Sequence, residues 1–310
     1  MTKKILYYIA SIAISLGSIY LFYIYIDWNM AMSVLQRCDI NILGYAFLFF
    51  ILNYLFRTYR TIVLCNNSPY KYSTIYGITC LHGLFNYMLP VRIGELSYPV
   101  LLKTHLKLNL KYGAVFLIIN RYFDFSIIAL FLPVVIISTI DILPSYLVDL
   151  SLFISFFILL SFLGLPKLIF LVNTATKNSD NIFFNSVAKI VGVLQGISKT
   201  GQYNKLFLVT VMIWLCIYCN FYLVVVALGF SPTLTQMMLV STIAVPLSLL
   251  PAQGFANLGS HELAWVVGLS FFGYDTEQSL IIAFNTHIIL VLFVLLLNLP
   301  SSFFLLKGKA

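Results

Sequence analysis

Six long apolar runs restrict the fold of this 310-residue chain more than any other feature of its sequence. A run of about 20 apolar residues matches the hydrocarbon core of a bilayer, which is roughly 30 Å thick. Only 9% of the residues are charged, whereas a soluble domain carries about 25%. The sequence therefore predicts an all-α integral membrane protein, a single polytopic domain over residues 1–310 with about six transmembrane helices. The runs cover approximately residues 5–26, 42–63, 112–140, 146–166, 205–229 and 279–305.

Two further apolar segments, approximately residues 73–102 and 234–272, are interrupted in the middle. Proline removes an amide donor and breaks a helix, and glycine allows the chain to reverse. Backbone freed in this way must line a protein-walled or watery cavity. Both segments share a Leu-Pro step, a glycine-containing turn and a glutamate: Pro90, Gly94 and Glu95 in the first, and Pro251, Gly254, Gly259 and Glu262 in the second.

The distribution of lysine and arginine favours one topology. Basic residues are concentrated before the first run, after the second, after the first interrupted segment and between the fourth and fifth runs. The remaining loops are expected at 27–41, 141–145, 230–233 and 273–278 and carry only Arg37. By the positive-inside rule this predicts a multi-pass protein of the plasma (inner) membrane with both termini cytoplasmic. Both interrupted segments are then re-entrant hairpins that enter from opposite sides, a pseudo-inverted repeat typical of transporters. Proline-kinked ordinary helices are the alternative.

Residues 181–197 differ from the apolar runs because apolar and polar side chains alternate at helical spacing. This pattern predicts an amphipathic helix on the cytoplasmic membrane surface. A cytoplasmic helix packed on its neighbours fits the pattern equally well.

Several charged residues lie in apolar sequence, where each costs about 2.5–3.5 kcal/mol at the bilayer centre unless it is paired or hydrated. Arg121 and Asp124 are three residues apart on one predicted helix and are expected to pair. Glu262 has no local partner, so we expect it to pair with a distant arginine or to be protonated. These charges are Arg92, Glu95, Arg121, Asp124 and Glu262, with Arg57 and Arg121 as candidate partners of Glu262.

Two interpretations of these charges remain open: a structural salt-bridge network, and a polar pocket for an anionic or zwitterionic lipid headgroup. Arginine suits phosphate because its planar fork of donors stays charged. His287, within the last apolar run, is either a buried hydrogen-bonded histidine or a proton relay. His261-Glu262 is not a zinc motif because Trp265 stands at the second histidine position. We expect no enzymatic activity, no metal and no cofactor.

Four motifs resemble those of one family. They are Asn53-x-x-x-Arg57-x-x-Arg60, Asn86-x-x-x-Pro90-x-Arg92-x-Gly94-Glu95, Arg121-x-x-Asp124, and Leu250-Pro251 followed by Gly259-x-x-Glu262. Over approximately residues 45–300 the chain resembles the transmembrane, flippase-like region of the lysylphosphatidylglycerol synthases and their stand-alone relatives. Asn120 stands where the family's arginine helix usually has glutamate. The synthases add a soluble aminoacyl-transferase domain, so a chain ending at Ala310 is expected to be a stand-alone member.

The resemblance implies a polytopic lipid-handling protein, which in some members translocates an aminoacylated phospholipid. Its partner would be a membrane lipid or lipid-linked substrate and not nucleic acid, since the net charge of +8 belongs to the loops. Two other functions remain open: a membrane enzyme acting on a lipid or polyprenyl-phosphate headgroup, and a non-transporting partner of an envelope synthesis complex. Association with a second copy is also left open. The substrate-binding candidates are Arg57, Arg60, Asn86, Arg92, Glu95, Arg121, Asp124 and Glu262.

Overall fold

The computed structural model describes residues 2–65, 70–139, 144–176, 192, 201–247 and 254–307, and all regular structure in these ranges is helical. Apart from Gly192, the predicted surface helix at 181–197 lies outside the described residues, as does Pro251. The α-helices are α1 Thr2–Tyr25, α2 Trp28–Gln36, α3 Ile40–Leu64, α4 Tyr72–Met88, α5 Ser97–Leu106, α6 Leu110–Ile137, α7 Tyr146–Thr176, α8 Tyr203–Ala227, α9 Leu234–Leu247, α10 Ser260–Ser270 and α11 Thr276–Lys307.

Each of the six predicted apolar runs falls on one helix: α1, α3, α6, α7, α8 and α11. Four of these contain a described stretch long and apolar enough to cross a membrane, namely α3, α6, α8 and α11. The corresponding stretches of α1 and α7 are shorter, residues 12–25 and 146–161. A multi-pass helical membrane protein is therefore supported, whereas the count of six spans stays a prediction.

Large apolar side chains cover much of the outer surface of the helices. Tyr20 on α1 is 64% exposed, Phe153 on α7 is 61% exposed and Leu299 on α11 is 67% exposed. A soluble protein rarely leaves contiguous apolar surface of this extent in contact with water. These faces are suited to contact lipid.

The first interrupted segment is broken where its sequence predicts. α4 ends at Met88, Leu89 is extended, and a 3-10 segment, Pro90–Leu96, leads into α5. We call residues 89–96 the first break. Gly94 packs directly on the end of α4: a Cβ atom at this position would lie 2.2 Å from the carbonyl oxygen of Phe85. Only glycine permits so close an approach.

The second interrupted segment also divides into two helices, α9 and α10, and we call its described residues 254–259 the second break. Phe255–Asn257 form a short 3-10 turn in which Ala256 has φ 52° and ψ 33°. Gly259 has φ 84°. α1 packs against this turn, with the Ser15 hydroxyl accepting a hydrogen bond from the Phe255 amide at 2.9 Å. Neither break is shown to be re-entrant, so that topology stays a prediction.

The segment 27–41, expected to be a loop, contains the helix α2. Asp27 caps its start, because the carboxylate accepts hydrogen bonds from the amides of Asn29 at 2.9 Å and Met30 at 3.1 Å. Asp39 caps α3 in the same way. An aspartate before an apolar stretch is a helix start signal, so α2 was recognisable from sequence and the expectation of a loop was wrong.

The packing of the helices brings the two breaks next to one another. α3 lies along α8, and α4 lies along α11. The first break contacts the second, and α1 contacts both. The polar backbone of the first break and that of the second break, which are far apart in the sequence, therefore lie close together in the structure.

Candidate functional site

A cavity of about 280 Å³ lies between α3, α4, α6, α8 and α11. Aromatic side chains form part of its wall, including Tyr54, Tyr87 and Trp214. Polar and charged side chains form the rest. They include Asn53, Arg57, Arg60, His82, Asn86, Asn120, Arg121, Asp124 and Asn257.

Arg60 and Asp124 form the most buried ion pair of the cavity wall. Their Nη1 and Oδ1 atoms are 2.6 Å apart, and the Nη2 and Oδ2 atoms are 3.4 Å apart. The two side chains are only 4% and 5% exposed. A paired arrangement in which both guanidinium nitrogens face both carboxylate oxygens is the geometry that best offsets the desolvation of two charges.

Arg121 continues this ion-pair chain to the first break. Its Nη1 lies 3.6 Å from Asp124 Oδ2, as the spacing of three residues on one helix predicts, and its Nη2 donates to Glu95 Oε1 at 2.7 Å. Glu95 and Arg121 are 19% and 27% exposed, so this pair is more accessible than the pair formed by Arg60. The chain thus runs from α3 through α6 to the first break.

Arg57 is the cation of this group that no described carboxylate pairs with. Its Nε donates to Asn53 Oδ1 at 2.8 Å, and Asn53 in turn donates to the Ile213 carbonyl on α8 at 3.0 Å. Asn53 therefore orients the guanidinium without neutralising it. Among the side chains that the structure describes here, three arginines and two carboxylates leave an excess of one positive charge.

Several polar atoms in the cavity wall have no hydrogen-bond partner among the described residues. Three are donors: Tyr87 Oη, Arg121 Nε and Trp214 Nε1. Two are acceptors: Asn86 Oδ1 and Asn120 Oδ1. A buried donor without an acceptor costs about 1–3 kcal/mol. The wall is therefore suited to a ligand rich in acceptor oxygens.

The structure brings most of the predicted site residues together. Arg57, Arg60, Asn86, Arg121 and Asp124 line the cavity, and Glu95 is tied to it through Arg121. The backbone of Arg92 belongs to the first break, but its side chain lies outside the described part of the chain.

Glu262 belongs to a separate cluster and does not pair with either candidate arginine. Its Oε1 atom is hydrogen-bonded to His287 Nδ1 on α11, and its Oε2 accepts from the Gly259 amide at 2.8 Å. The second contact caps α10 in the manner of a glutamate at the third helical position. This explains the Gly-x-x-Glu motif locally and corrects the expectation of a distant arginine partner.

His287 places this second cluster directly behind the cavity wall. The rings of Tyr87, which lines the cavity, and His287 are 5.8 Å apart with their planes at 78°. The Nε2 atom of His287 lies 2.6 Å from the carbonyl oxygen of Ala256 in the second break. The next residue, Asn257, lines the cavity.

Sequence reasoning missed the aromatic wall and His82. Tyr54, Tyr87 and Trp214 lie in apolar runs, where an aromatic residue is indistinguishable from a core or lipid-facing one. His82 bonds Ser97 Oγ through Nδ1 at 2.9 Å, which joins α4 to α5 across the first break. A histidine in apolar sequence eight positions before Pro90 was the available signal.

Apolar helices around an ion-paired, polar cavity are consistent with a multi-pass helical membrane protein. The family described as "Lysylphosphatidylglycerol synthase TM region" matches residues 8–297, nearly the whole chain, and the chain belongs to this family. The resemblance found in its four motifs is thereby confirmed, and the family points to a membrane lipid-related role. No curated protein and no solved structure matches the chain significantly.

Proposed function

We propose that the protein binds the phosphate-containing headgroup of a membrane lipid or lipid-linked substrate in the central cavity and moves it across the membrane. The observation that carries this proposal is the excess of cations over carboxylates among the described side chains at the cavity, together with donors that have no described partner. A cation in excess of the neighbouring carboxylates inside a membrane protein is costly and marks a path for ions or substrate. An anionic ligand would remove that cost.

The donor set favours phosphate over other anions. A guanidinium donates in a plane that matches two phosphate oxygens. Tyr87 Oη and Trp214 Nε1 would supply further neutral donors from the other side of the wall. Neighbouring Arg60 and Arg121 are already shared with carboxylates, so Arg57 is the primary phosphate ligand in this proposal.

The size of the cavity favours a headgroup and not a whole lipid. Its volume of about 280 Å³ lies just below the range of small-molecule sites, which span roughly 300–1,000 Å³. Acyl chains would stay in the bilayer against the exposed apolar faces of the helices. In this arrangement only the headgroup enters the polar interior of the protein. This lowers the free-energy barrier to moving a polar headgroup through the apolar core of the bilayer.

The two breaks supply the proposed gates. Both contribute to or adjoin the cavity, the first through Glu95 and Arg121 and the second through Asn257. If the interrupted segments enter from opposite sides, with both termini cytoplasmic in the inner membrane, each break closes the cavity toward one leaflet. This is alternating access built on broken helices.

The test is lipid sidedness in liposomes that contain a fluorescent anionic phospholipid. Wild type is compared with Arg57→Gln, and Arg37→Gln serves as the matched control, because Arg37 is exposed at the end of α2, away from the cavity. We expect wild type and Arg37→Gln to expose inner-leaflet lipid to an external quencher. Arg57→Gln should slow this exposure at least about tenfold, since a charge-assisted hydrogen bond contributes about 1.5–3 kcal/mol.

Binding is measured separately on the same variants, by retention of phospholipid through purification. Equal retention and equal transport by wild type and Arg57→Gln, both folded, would overturn the proposal. Retention without transport in wild type would indicate a lipid-binding partner instead of a translocase. Chemical alteration of the retained lipid would favour the membrane enzyme.

A further inference from the structure

The cluster behind the cavity holds two titratable groups in direct contact, Glu262 on α10 and His287 on α11. Their side chains are only 3% and 6% exposed. Glu262 already accepts the Gly259 amide through its second oxygen. Neither side chain belongs to the ion-pair chain of the cavity, so their presence in an apolar bundle needs its own explanation.

Hydrogen-bond chemistry fixes one proton of His287. A carbonyl oxygen only accepts, so the Nε2 atom that faces Ala256 O at 2.6 Å carries a hydrogen and donates it. The opposite nitrogen, Nδ1, faces Glu262 Oε1. A neutral imidazole protonated at Nε2 has a lone pair at Nδ1, and a carboxylate oxygen also offers only lone pairs.

The contact between Nδ1 and Oε1 therefore needs one further proton. That proton is carried by His287, as an imidazolium beside a carboxylate, or by Glu262, as a carboxylic acid that donates to Nδ1. Both arrangements have zero net charge, which suits a buried site. Release of the proton to water leaves a carboxylate and a lone pair facing each other, with one negative charge and no donor between them.

Few other titratable groups face this pair. His261 on α10 has its ring 4.7 Å from that of His287, and Tyr87 approaches from α4. The described side chains of α1 and α9 include no charged group, and Asp27 of α2 is exposed and caps its own helix. Arg57 and Arg60 of α3 belong to the cavity. No described lysine or arginine forms an ion pair with Glu262, so no fixed cation would compensate the negative charge.

The pair is coupled mechanically to the second break. Ala256 adopts a left-handed conformation, with φ 52°, which is unfavourable for a residue with a side chain. The His287 hydrogen bond holds the Ala256 carbonyl, and the Glu262 hydrogen bond holds the Gly259 amide, so the pair fixes both ends of the turn. Asn257, between them, lines the cavity.

We propose that Glu262 and His287 form a buried proton-binding site whose occupancy closes the second break, and that release of this proton opens it. Coupling of this proton to lipid movement rests on the proposed function, whereas the proton site itself does not. In the coupled cycle, a proton bound from one side favours the closed turn. Its loss frees Asn257 and the adjoining cavity wall.

The proton site is tested by hydrogen exchange of the amides at 254–262 in the full-length protein, corrected for the intrinsic pH dependence of exchange. We expect the protection of these amides to fall at least about tenfold as the pH rises and the pair loses its proton, since the buried hydrogen bonds that it holds are lost. Amides of α3 in the same protein provide the internal reference.

Glu262→Gln is the decisive variant. A carboxamide donates from nitrogen to His287 Nδ1 and accepts the Gly259 amide through oxygen, so it reproduces the occupied state without a removable proton. Protection at 254–262 should stay high at every pH. His261→Phe removes the neighbouring imidazole but neither partner, and should keep the wild-type pH profile.

A flat pH profile in wild type, or an unchanged pH-dependent profile in Glu262→Gln, would overturn the proton site. If Glu262→Gln does not fold, His287→Gln serves instead, because its amide donates permanently to the Glu262 carboxylate and should also give a flat profile. A second histidine control, His82→Gln, tests the first break and should leave the profile at 254–262 unchanged.

Liposome transport at two pH values separates this inference from the proposed function. Loss of transport in Glu262→Gln at both pH values, with retention of phospholipid through purification unchanged, would support coupling, because this variant is held in the proton-occupied, closed state. A pH-dependent wild-type profile at 254–262 in a protein that moves no lipid would support the proton site and overturn the proposed function. Transport whose pH dependence survives in Glu262→Gln would overturn the coupling.

Discussion

The two breaks share a sequence pattern but hold their glutamates in chemically different ways. Glu95 of the first break pairs with Arg121, a cation at every relevant pH, at a site that is partly exposed. Glu262, just after the second break, pairs with His287, a titratable base, at a site that is almost fully buried. The first break is thus held by permanent charge and the second by a removable proton. One motif can therefore serve two functions, depending on the partner that the fold supplies.

The largest expected effect comes from removing the fixed charge behind the first break. Asp124→Leu leaves Arg60 buried and 4% exposed, without its carboxylate. Breaking a buried ion pair in this way costs about 3–5 kcal/mol. Thermal unfolding in detergent measures the loss. Asp149→Asn, at an exposed position of α7, is the control and should change little.

A second substitution tests whether the cost arises from the unpaired charge. Arg60→Met added to Asp124→Leu removes both charges and should recover most of the lost stability, since apolar replacements of a buried pair are often neutral. If Asp124→Leu alone is as stable as wild type, the ion-pair chain does not hold the first break.

Alanine at the two glycines gives the next largest difference between the breaks. At Gly94 the added Cβ meets backbone atoms of Phe85 and Asn86 within 2.2–2.5 Å, so the turn must move. We expect Gly94→Ala to cost about 1–3 kcal/mol. At Gly259 the added Cβ meets the Ser18 hydroxyl at 2.5 Å and the φ of 84° is strained.

Only the second of these changes can be relieved by a partner substitution. Ser18→Ala removes the hydroxyl that an alanine at Gly259 would meet, so the double variant should recover part of the loss in unfolding temperature. The conformational strain of about 1–2 kcal/mol remains. Gly17→Ala, with open space around it, is the control on α1. Full recovery of the double variant would show that φ at Gly259 is not strained.

Hydrogen bonds from neighbouring helices also stabilise each break. Removing one of them should lower stability by less than the substitutions described above. The hydroxyls of Tyr98 on α5 and Thr61 on α3 are 2.9 Å apart, and the Ser15 hydroxyl on α1 accepts the Phe255 amide. Tyr98→Phe and Ser15→Ala should each cost about 0.5–1.5 kcal/mol. Hydrogen exchange should localise the loss to the first break in Tyr98→Phe and to the second in Ser15→Ala. Loss at both breaks in either variant would contradict independent anchoring.

Glu95→Gln should change stability least, because the glutamine amide oxygen can still accept from Arg121 and Asp124 still pairs with the same guanidinium. Its effect on binding is more informative. Removing the carboxylate charge leaves Asp124 as the one described carboxylate that pairs with Arg121 and makes the cavity more positive. An anionic phospholipid should therefore bind about threefold more tightly and be released more slowly. Weaker binding in Glu95→Gln would indicate that Glu95 contacts the ligand directly.

Sequence reasoning located the interruptions but not the partners of their charges. Pro90 and Gly94 determine the first break through local chemistry that is visible in the sequence, and the three-residue spacing of Arg121 and Asp124 predicts their contact. The closest partner of Asp124 is Arg60, 64 positions away on another helix. Likewise Glu262 and His287 stood out individually, but their contact depends on how α10 packs on α11. Pairing between helices is set by packing, which a single sequence does not encode locally.

The separation of Arg60 from Asp124 along the chain also has a consequence for biosynthesis. α3 is made well before α6, so Arg57 and Arg60 must enter the membrane, or wait at its edge, before the carboxylate that neutralises Arg60 has been synthesised. An unpaired arginine adds about 2.5–3.5 kcal/mol to insertion at the centre of a helix and less near its end, where Arg57 and Arg60 lie in α3. The stable position of α3 in the bundle therefore depends on α6, a helix that is synthesised later. Insertion of α6 brings Asp124 to Arg60 and completes the packing of α3.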